Sequence, residues 1–151
     1  MKKVFCYLIG TGFGTGYSPL APGTAGSLLA LVLMMLWPAS SPVWLGITFL
    51  FLIAGIWSGT CIEREKGEDP SLVVVDEMVG QWIALLFLPA YALKIYGAAF
   101  LLFRLFDIWK PYPIYQSQRF KGGWGIMMDD VLAGIYANIL LQLVLRLGIW
   151  S

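Results

Sequence analysis

Histidine is absent from this chain of 151 residues, and this absence excludes several kinds of catalysis. Without histidine there is no phosphohistidine intermediate, no Ser-His-Asp triad and no zinc site of the HExxH type. Neither of the two cysteines, Cys6 and Cys61, begins a C-x5-R loop, which excludes a cysteine phosphatase. No D-x-D sequence occurs, which argues against an aspartyl-phosphate enzyme of that kind. Metal-assisted hydrolysis with carboxylates remains open.

Charge is scarce as well. Charged residues make up 13% of the chain, about half of the usual share of about 25%. Residues 4–62 contain no Asp, Glu, Lys or Arg, and the mean hydropathy is +0.76. These features predict an integral membrane protein, with a soluble helical protein of very apolar core as the alternative. The net charge of +1 gives no reason to expect nucleic acid as a partner.

Glycine and proline divide the chain into predicted helices within one domain, residues 1–151. Residues 10–27 contain six glycines and two prolines, so they cannot form one regular helix. The stretch 43–62 is uncharged and long enough to span a hydrocarbon core of about 30 Å. The expected fold is all-α, a compact bundle of about five mainly transmembrane helices with short polar loops on one face. The predicted helices cover about 24–37, 43–62, 72–88, 94–109 and 129–147, with a charged loop at 63–69.

The basic residues predict which side of the membrane the polar loops face. If each predicted helix crosses once, eight of the ten basic residues lie on one side, and only Lys94 and Arg146 lie on the other. The positive-inside rule then makes the polar side cytoplasmic. The eight residues are Lys2, Lys3, Arg64, Lys66, Arg104, Lys110, Arg119 and Lys121.

Five carboxylates fall at the polar ends of three predicted helices. Asp76 and Glu77 stand together inside the apolar run 72–88, where burial of acids is costly without a compensating cation or donor. Asp129 and Asp130 begin the last predicted helix, and Asp107 lies near the end of the fourth. Oxygen ligands from several helices at one depth favour a hard cation such as Mg²⁺. Helix capping and dipole compensation are the alternative for both pairs.

Two further segments could bind an anion. Arg104, Asp107 and Lys110 are spaced i, i+3, i+6, so they share a helix face as either a phosphate clamp or a structural ion-pair ladder. The loop PLAPGTAGS leads into the first predicted helix, where free N–H groups favour phosphate. A membrane-embedded turn is the alternative for that loop. Its candidate substrate-binding residues are Pro22, Gly23, Thr24 and Ser27.

Four blocks of the sequence span about residues 10–137: GFGTGYSPLAPGTAGSL, VVDEMVGQWIAL, FRLFDIWKPYPI and GGWGIMMDDVLAG. In this order they resemble the motif blocks of the phosphatidylglycerophosphatase A family. The resemblance implies a multi-pass enzyme of the bacterial inner membrane. Such enzymes hydrolyse phosphatidylglycerophosphate in the bilayer to phosphatidylglycerol and phosphate, with Mg²⁺ as cofactor. Soluble all-helical members of the wider superfamily imply that the helices form a compact bundle.

The resemblance assigns roles to the candidate residues. Asp76, Glu77, Asp129 and Asp130 become the expected Mg²⁺ ligands and, with Asp107, the expected catalytic acids. Arg104, Lys110 and Lys121 join the loop at residues 22–27 as the expected substrate-binding groups, and Asp129 or Asp130 is expected to orient the attacking water. Family members often have histidine before the second and fourth blocks, where this chain has residues 68–70 and Lys121, so a histidine base is not available.

Two other functions remain as alternatives. A CDP-alcohol phosphotransferase is also a membrane Mg²⁺ enzyme, but its DGxxAR signature is missing, since Val131 and Leu132 follow the Asp129–Asp130 pair. A small cation carrier would place acids at mid-helix along a pore, whereas these acids gather at predicted helix ends. The oligomeric state is left open by the sequence.

Overall fold

The computed structural model describes residues 2–37, 39–89 and 93–148, which form seven α-helices and one 3-10 turn and contain no strand. The predicted all-α bundle is therefore confirmed. The α-helices are α1 (Lys2–Gly10), α2 (Pro22–Leu36), α3 (Ser41–Lys66), α4 (Val75–Leu85), α5 (Leu93–Trp109), α6 (Ile114–Ser117) and α7 (Gly123–Arg146), and the 3-10 turn is Thr15–Tyr17.

Helix α4 is the centre of the bundle, because nine of its eleven residues are buried. Met78 and Trp82 pack in a cluster with α2 and α5, and Val79 packs in a second cluster with α1, α3 and α7. Trp82 also donates a hydrogen bond from Nε1 to the carbonyl oxygen of Ala30 in α2, at 2.9 Å. Packing on all sides fixes the position of the two acids in the first turn of α4, Asp76 and Glu77.

Helices α4 and α7 run in the same direction and approach closely. A Cβ atom added at Gly134 would collide with the carbonyl oxygen of Gly80, so only glycine allows this approach. Nearer the far end of α4, Asn138 Nδ2 donates hydrogen bonds to the carbonyl oxygens of Ala84 and Leu86, at 3.1 and 2.7 Å. These contacts set the register that brings the start of α4 beside the first turns of α7.

Gly134→Ala is expected to destabilise the protein by about 1–3 kcal/mol, the usual cost of overpacking a close-packed site. The added methyl group would meet the Gly80 backbone and also lie 3.1 Å from Ile83 Cβ. Thermal unfolding of the purified protein in detergent measures the change. Gly46→Ala in α3 is the control, because no atom lies within 4 Å of its added Cβ and alanine favours helix. Equal stability of the two variants would contradict the close approach.

Helix α1 is not among the helices predicted from the sequence. Nine residues form a marginal helix in isolation, and here packing along the last turns of α3 stabilises it. Cys6 is buried in this contact, Gly10 lies against Ile62, and Lys3 Nζ pairs with Glu65 at 2.5 Å. Helix α1 therefore runs antiparallel to the end of α3.

Helix α3 continues to Lys66, so the prediction of a charged loop at residues 63–69 is wrong for its first four residues. Arg64 and Lys66 lie in the last turn, where positive charge interacts favourably with the helix dipole. The helix ends at Gly67, which has a φ of 95°.

Helix α7 begins at Gly123, six residues before the predicted start. The N–H of Gly123 donates to Thr60 Oγ1 at 2.8 Å. This contact with α3 stabilises the start of the helix in a glycine-rich segment that lies before the predicted helix. Asp129 and Asp130 consequently lie in the second turn of α7, beyond the reach of helix capping. Helix α4 is shorter than the predicted 72–88, and no side chain caps its N-terminus. The capping and dipole alternative is therefore wrong for Asp129 and Asp130. Asp76 and Glu77 do not cap α4, but they lie in its first turn, where negative charge interacts favourably with the helix dipole.

Two helices, α3 and α7, are long and apolar enough to cross a membrane. In the most apolar window of α3 only 28% of the residues are buried, which leaves a wide apolar surface. Helices α2, α4 and α5 have 15, 11 and 17 residues. At 1.5 Å per residue, α4 measures about 16 Å, roughly half of a hydrocarbon core. A single crossing by each of the five predicted helices stays a prediction.

Candidate active site

The five predicted acids converge at the end of the bundle where α4 and α7 begin and α5 ends. Carboxylate oxygens of Asp76, Glu77 and Asp130 lie within 4.8 Å of one another, and so do those of Asp107, Asp129 and Asp130. Asp130 belongs to both groups, so the five residues form one cluster. We call these five residues the carboxylate cluster.

Burial makes the carboxylate cluster costly as it stands. Asp130 is 2% exposed and Asp129 5%, and Asp76 and Asp107 are also buried, while Glu77 is half-buried. Asp76 Oδ1, Glu77 Oε2 and Asp129 Oδ1 have no hydrogen-bond partner among the described residues. Buried carboxylate oxygens are normally paired, bonded or bound to a metal ion. These three oxygens are therefore available to a ligand.

Two basic side chains border the carboxylate cluster. Arg104 Nη1 pairs with Asp107 Oδ2 at 2.6 Å, and Lys110 Nζ pairs with Asp129 Oδ2 at 2.5 Å. Both cations are largely covered, which strengthens their attraction to a nearby anion. Five carboxylates facing two cations still leave an excess of three negative charges when all the groups are ionised. That excess favours binding of a cation.

Lys110 remains protonated at neutral pH. Burial by itself lowers the pKa of its ammonium group, but the hydrogen bond to Asp129 and the charges of Asp129, Asp130 and Asp107 raise it. The result is a pKa above the ordinary value for lysine. Lys110 is therefore a permanent cation and cannot serve as a general base.

The N-terminus of α2 also lies beside the carboxylate cluster. A Cβ atom added at Gly23 would collide with the Glu77 carboxylate and lie 3.3 Å from Arg104 Nη1. No side chain caps this helix, and the N–H groups of Gly23 and Thr24 have no partner within it. They are available to an anion beside Arg104. Ser27 differs, because its hydroxyl group is buried and donates to the Gly23 carbonyl oxygen at 2.9 Å.

Lys121 forms no ion pair with the carboxylate cluster. Its exposed side chain borders a polar cleft of about 760 Å³ between the end of α3 and the loop before α7. Gln118 connects the polar cleft with the carboxylate cluster, because it borders the cleft and its Nε2 donates to Asp129 Oδ2 at 3.0 Å. Sequence reasoning missed Gln118, since an amide in a loop eleven residues before Asp129 gives no periodic or motif signal.

Comparisons with known proteins agree on a phosphatase family. A family model described as Phosphatidylglycerophosphatase A matches residues 8–145. The Phosphatidylglycerophosphatase A of Escherichia coli is 34% identical over 151 residues, covering 91% of this chain and 82% of that protein. The Haemophilus influenzae protein of the same name is 40% identical over 137 residues, covering 88% and 84%.

A Bacteroides thetaiotaomicron protein carries a different, provisional name, phosphatidylinositol-3-phosphatase. It is 54% identical over 144 residues, which cover 89% of each chain. No solved structure matches this chain at a significant level.

Proposed function

The chain belongs to the phosphatidylglycerophosphatase A family, and from that premise we propose that it hydrolyses phosphatidylglycerophosphate to phosphatidylglycerol and phosphate in phospholipid biosynthesis. The enzyme is a phosphatase. The observation that carries the proposal is the buried carboxylate cluster, with unpartnered oxygens, beside two cations and a free helix N-terminus. Family membership leaves no support for a CDP-alcohol phosphotransferase or a cation carrier.

The residues of the carboxylate cluster suit Mg²⁺. Every donor is an oxygen, as Mg²⁺ prefers, and three buried oxygens have no other partner among the described residues. Asp76, Glu77 and Asp130 would hold one ion together. Asp129, also an expected ligand, is grouped instead with Asp107 and Asp130. A bound Mg²⁺ supplies polarisation of the phosphoryl group and neutralises part of its charge.

The protein groups around the carboxylate cluster can position the phosphoryl group. Arg104 and Lys110 would bind its oxygens, together with the free N–H groups of Gly23 and Thr24. Such fixed positive groups stabilise the charge on the equatorial oxygens during in-line displacement.

Asp129 is the better oriented of the two predicted bases. Its Oδ2 is held by Lys110 and Gln118, which leaves Oδ1 free to accept a proton from the attacking water. A bond then forms between the water oxygen and phosphorus, and the bond between phosphorus and the glycerol oxygen breaks. The glycerol oxygen leaves as an alkoxide and takes a proton from solvent.

We place the enzyme in the bacterial inner membrane with the carboxylate cluster at the cytoplasmic face. Support comes from the two long apolar helices and from exposed side chains along α3 such as Phe49, Leu50 and Ile53, each more than half exposed. Lys3, Arg64 and Lys110 lie at the end of the bundle that holds the cluster, as the positive-inside rule requires.

A second substrate has support from one relative. The Bacteroides thetaiotaomicron protein, at 54% identity, is named for phosphatidylinositol 3-phosphate, which is also a phosphomonoester on a membrane lipid. The same cations and carboxylates would act on either lipid, because the reacting group is the same. The two lipids differ in the polyol that carries the phosphate.

Phosphate release from the two lipids in mixed micelles with Mg²⁺ tests the assignment. We expect kcat/KM for phosphatidylglycerophosphate to exceed that for phosphatidylinositol 3-phosphate by at least about tenfold, a difference of about 1.4 kcal/mol in transition-state binding. Phosphatidic acid controls for general lipid phosphomonoesterase activity. The reverse preference would assign the inositol lipid, and no release from any of the three would contradict the proposed function.

A further inference from the structure

A second cavity lies on the outer side of the bundle, between α1 and α3. It has a volume of about 660 Å³, within the range of small-ligand sites. Its walls are apolar along most of its length, and we call it the lateral groove. Cys6 of α1, Ile53, Ile56 and Trp57 of α3, and Trp124 at the start of α7 form these walls.

The lateral groove has one charged end. Lys2, Lys3, Arg64 and Glu65 border it there, while Ile53 marks its apolar end. Glu65 is paired with Lys3, and no described residue forms an ion pair with Lys2 or Arg64. The mouth of the groove therefore has uncompensated positive charge, which suits an anionic group above an apolar tail.

Arg64 also borders the polar cleft that contains Gln118 and Lys121. Gln118 in turn donates a hydrogen bond to Asp129 of the carboxylate cluster. A continuous series of sites thus runs from the cluster through the cleft to Arg64 and into the lateral groove. A lipid phosphomonoester has the same order of parts: phosphomonoester, polyol, phosphodiester and acyl chain.

The lateral groove is long enough for a large part of an acyl chain. Ile53 and Arg64, at its two ends, are eleven residues apart on α3, or about 16 Å at 1.5 Å per residue.

We propose that the lateral groove holds an acyl chain of the substrate lipid and that Arg64 binds its phosphodiester. The proposal rests on the proposed function, because the lipid must present its phosphomonoester to the carboxylate cluster. It adds a specificity site outside the carboxylate cluster. The expected ligand of the groove is a substrate molecule of the cytoplasmic leaflet.

Arg64→Gln tests the phosphodiester contact. The loss of one charge-assisted hydrogen bond is expected to raise KM for phosphatidylglycerophosphate about tenfold or more, with kcat nearly unchanged, and Arg64→Lys is expected to restore part of the loss. Lys66→Gln is the matched control, because Lys66 lies in the same last turn of α3 but borders neither cavity. Equal KM values for the two glutamine variants would overturn the role of Arg64.

Ile53→Trp tests the acyl chain by filling the apolar end of the groove. We expect it to lower kcat/KM several-fold for a dipalmitoyl substrate but not for a dihexanoyl substrate, whose chains are too short to reach Ile53. Leu50→Trp is the control, since Leu50 is exposed on α3 but lies outside the groove. If both tryptophan variants treat the two substrates alike, the groove does not hold the chain.

The remaining outcomes are also decisive. A change in oligomeric state of Ile53→Trp by light scattering, without a chain-length effect, would assign the groove to contact between two copies of this chain and overturn the proposal. Arg64 is exposed, so its replacement leaves a folded protein to test even if Ile53→Trp fails to fold. If the wild-type protein releases no phosphate from either the dipalmitoyl or the dihexanoyl substrate, the result would instead contradict the proposed function.

Discussion

Replacing Asp130 with asparagine is expected to reduce kcat by roughly 10²–10⁴-fold, as large a loss as that of a catalytic acid–base group. Asp130 has carboxylate oxygens within 4.8 Å of both groups of acids, so its charge acts on every ligand position in the carboxylate cluster. An amide of the same shape binds a hard cation more weakly and accepts no proton at neutral pH. Phosphate release from phosphatidylglycerophosphate at saturating substrate measures the loss.

Folding should survive this change. Asp130 is 2% exposed within an acidic cluster, so removal of its charge relieves repulsion, and active-site changes of this kind often stabilise a protein. Circular dichroism and thermal unfolding are expected to show wild-type helicity and equal or higher stability. Asp69→Asn makes the same chemical change at an exposed residue that borders the polar cleft but does not belong to the carboxylate cluster. Its φ of 45° is one that asparagine tolerates well, and the change should cost much less activity than Asp130→Asn. Turnover by Asp130→Asn near that of Asp69→Asn would remove Asp130 from the site.

Chelation of divalent cations is expected to abolish phosphate release, and added Mg²⁺ is expected to restore it. With all its groups ionised, the carboxylate cluster has an excess of three negative charges over its two cations, and it offers no nitrogen or sulfur donor, which favours a hard divalent ion. Activity in excess chelator, followed by titration with Mg²⁺, measures the dependence. Full turnover in excess chelator would contradict the metal mechanism.

Thermal stability gives a readout of the same site without catalysis. Ligand binding at about 100 times Kd stabilises the folded state by about 2.7 kcal/mol, so Mg²⁺ should raise the unfolding temperature of the wild-type protein by several degrees. Asp130→Asn should lose most of this increase, and Asp69→Asn should keep it. An equal increase in all three proteins would indicate that Mg²⁺ binds outside the carboxylate cluster.

Acids of the site could be predicted from the local sequence, because burial of a carboxylate inside an apolar run costs free energy. Asp76 and Glu77 interrupt an apolar run that forms the buried central helix α4, and no buried helix keeps such charges without compensation. Arg104, Asp107 and Lys110 could be predicted to act together from helical spacing, although Lys110 pairs with Asp129 rather than with Asp107. Gln118 could not be predicted, since its role depends on a loop folding back onto α7.

The sequence by itself determined the helical class, the apolar surfaces and the chemical types of the site residues, because hydrophobicity, helix termination and charge burial are local properties. The tertiary structure decided which residues meet. Helix α1 and the first turns of α7 form because they pack on α3, and the close approach at Gly134 sets the register between α4 and α7. That register places Asp130 within reach of acids from both α4 and α5. Contacts between distant segments depend on packing free energy summed over the whole bundle, which no single stretch of sequence contains.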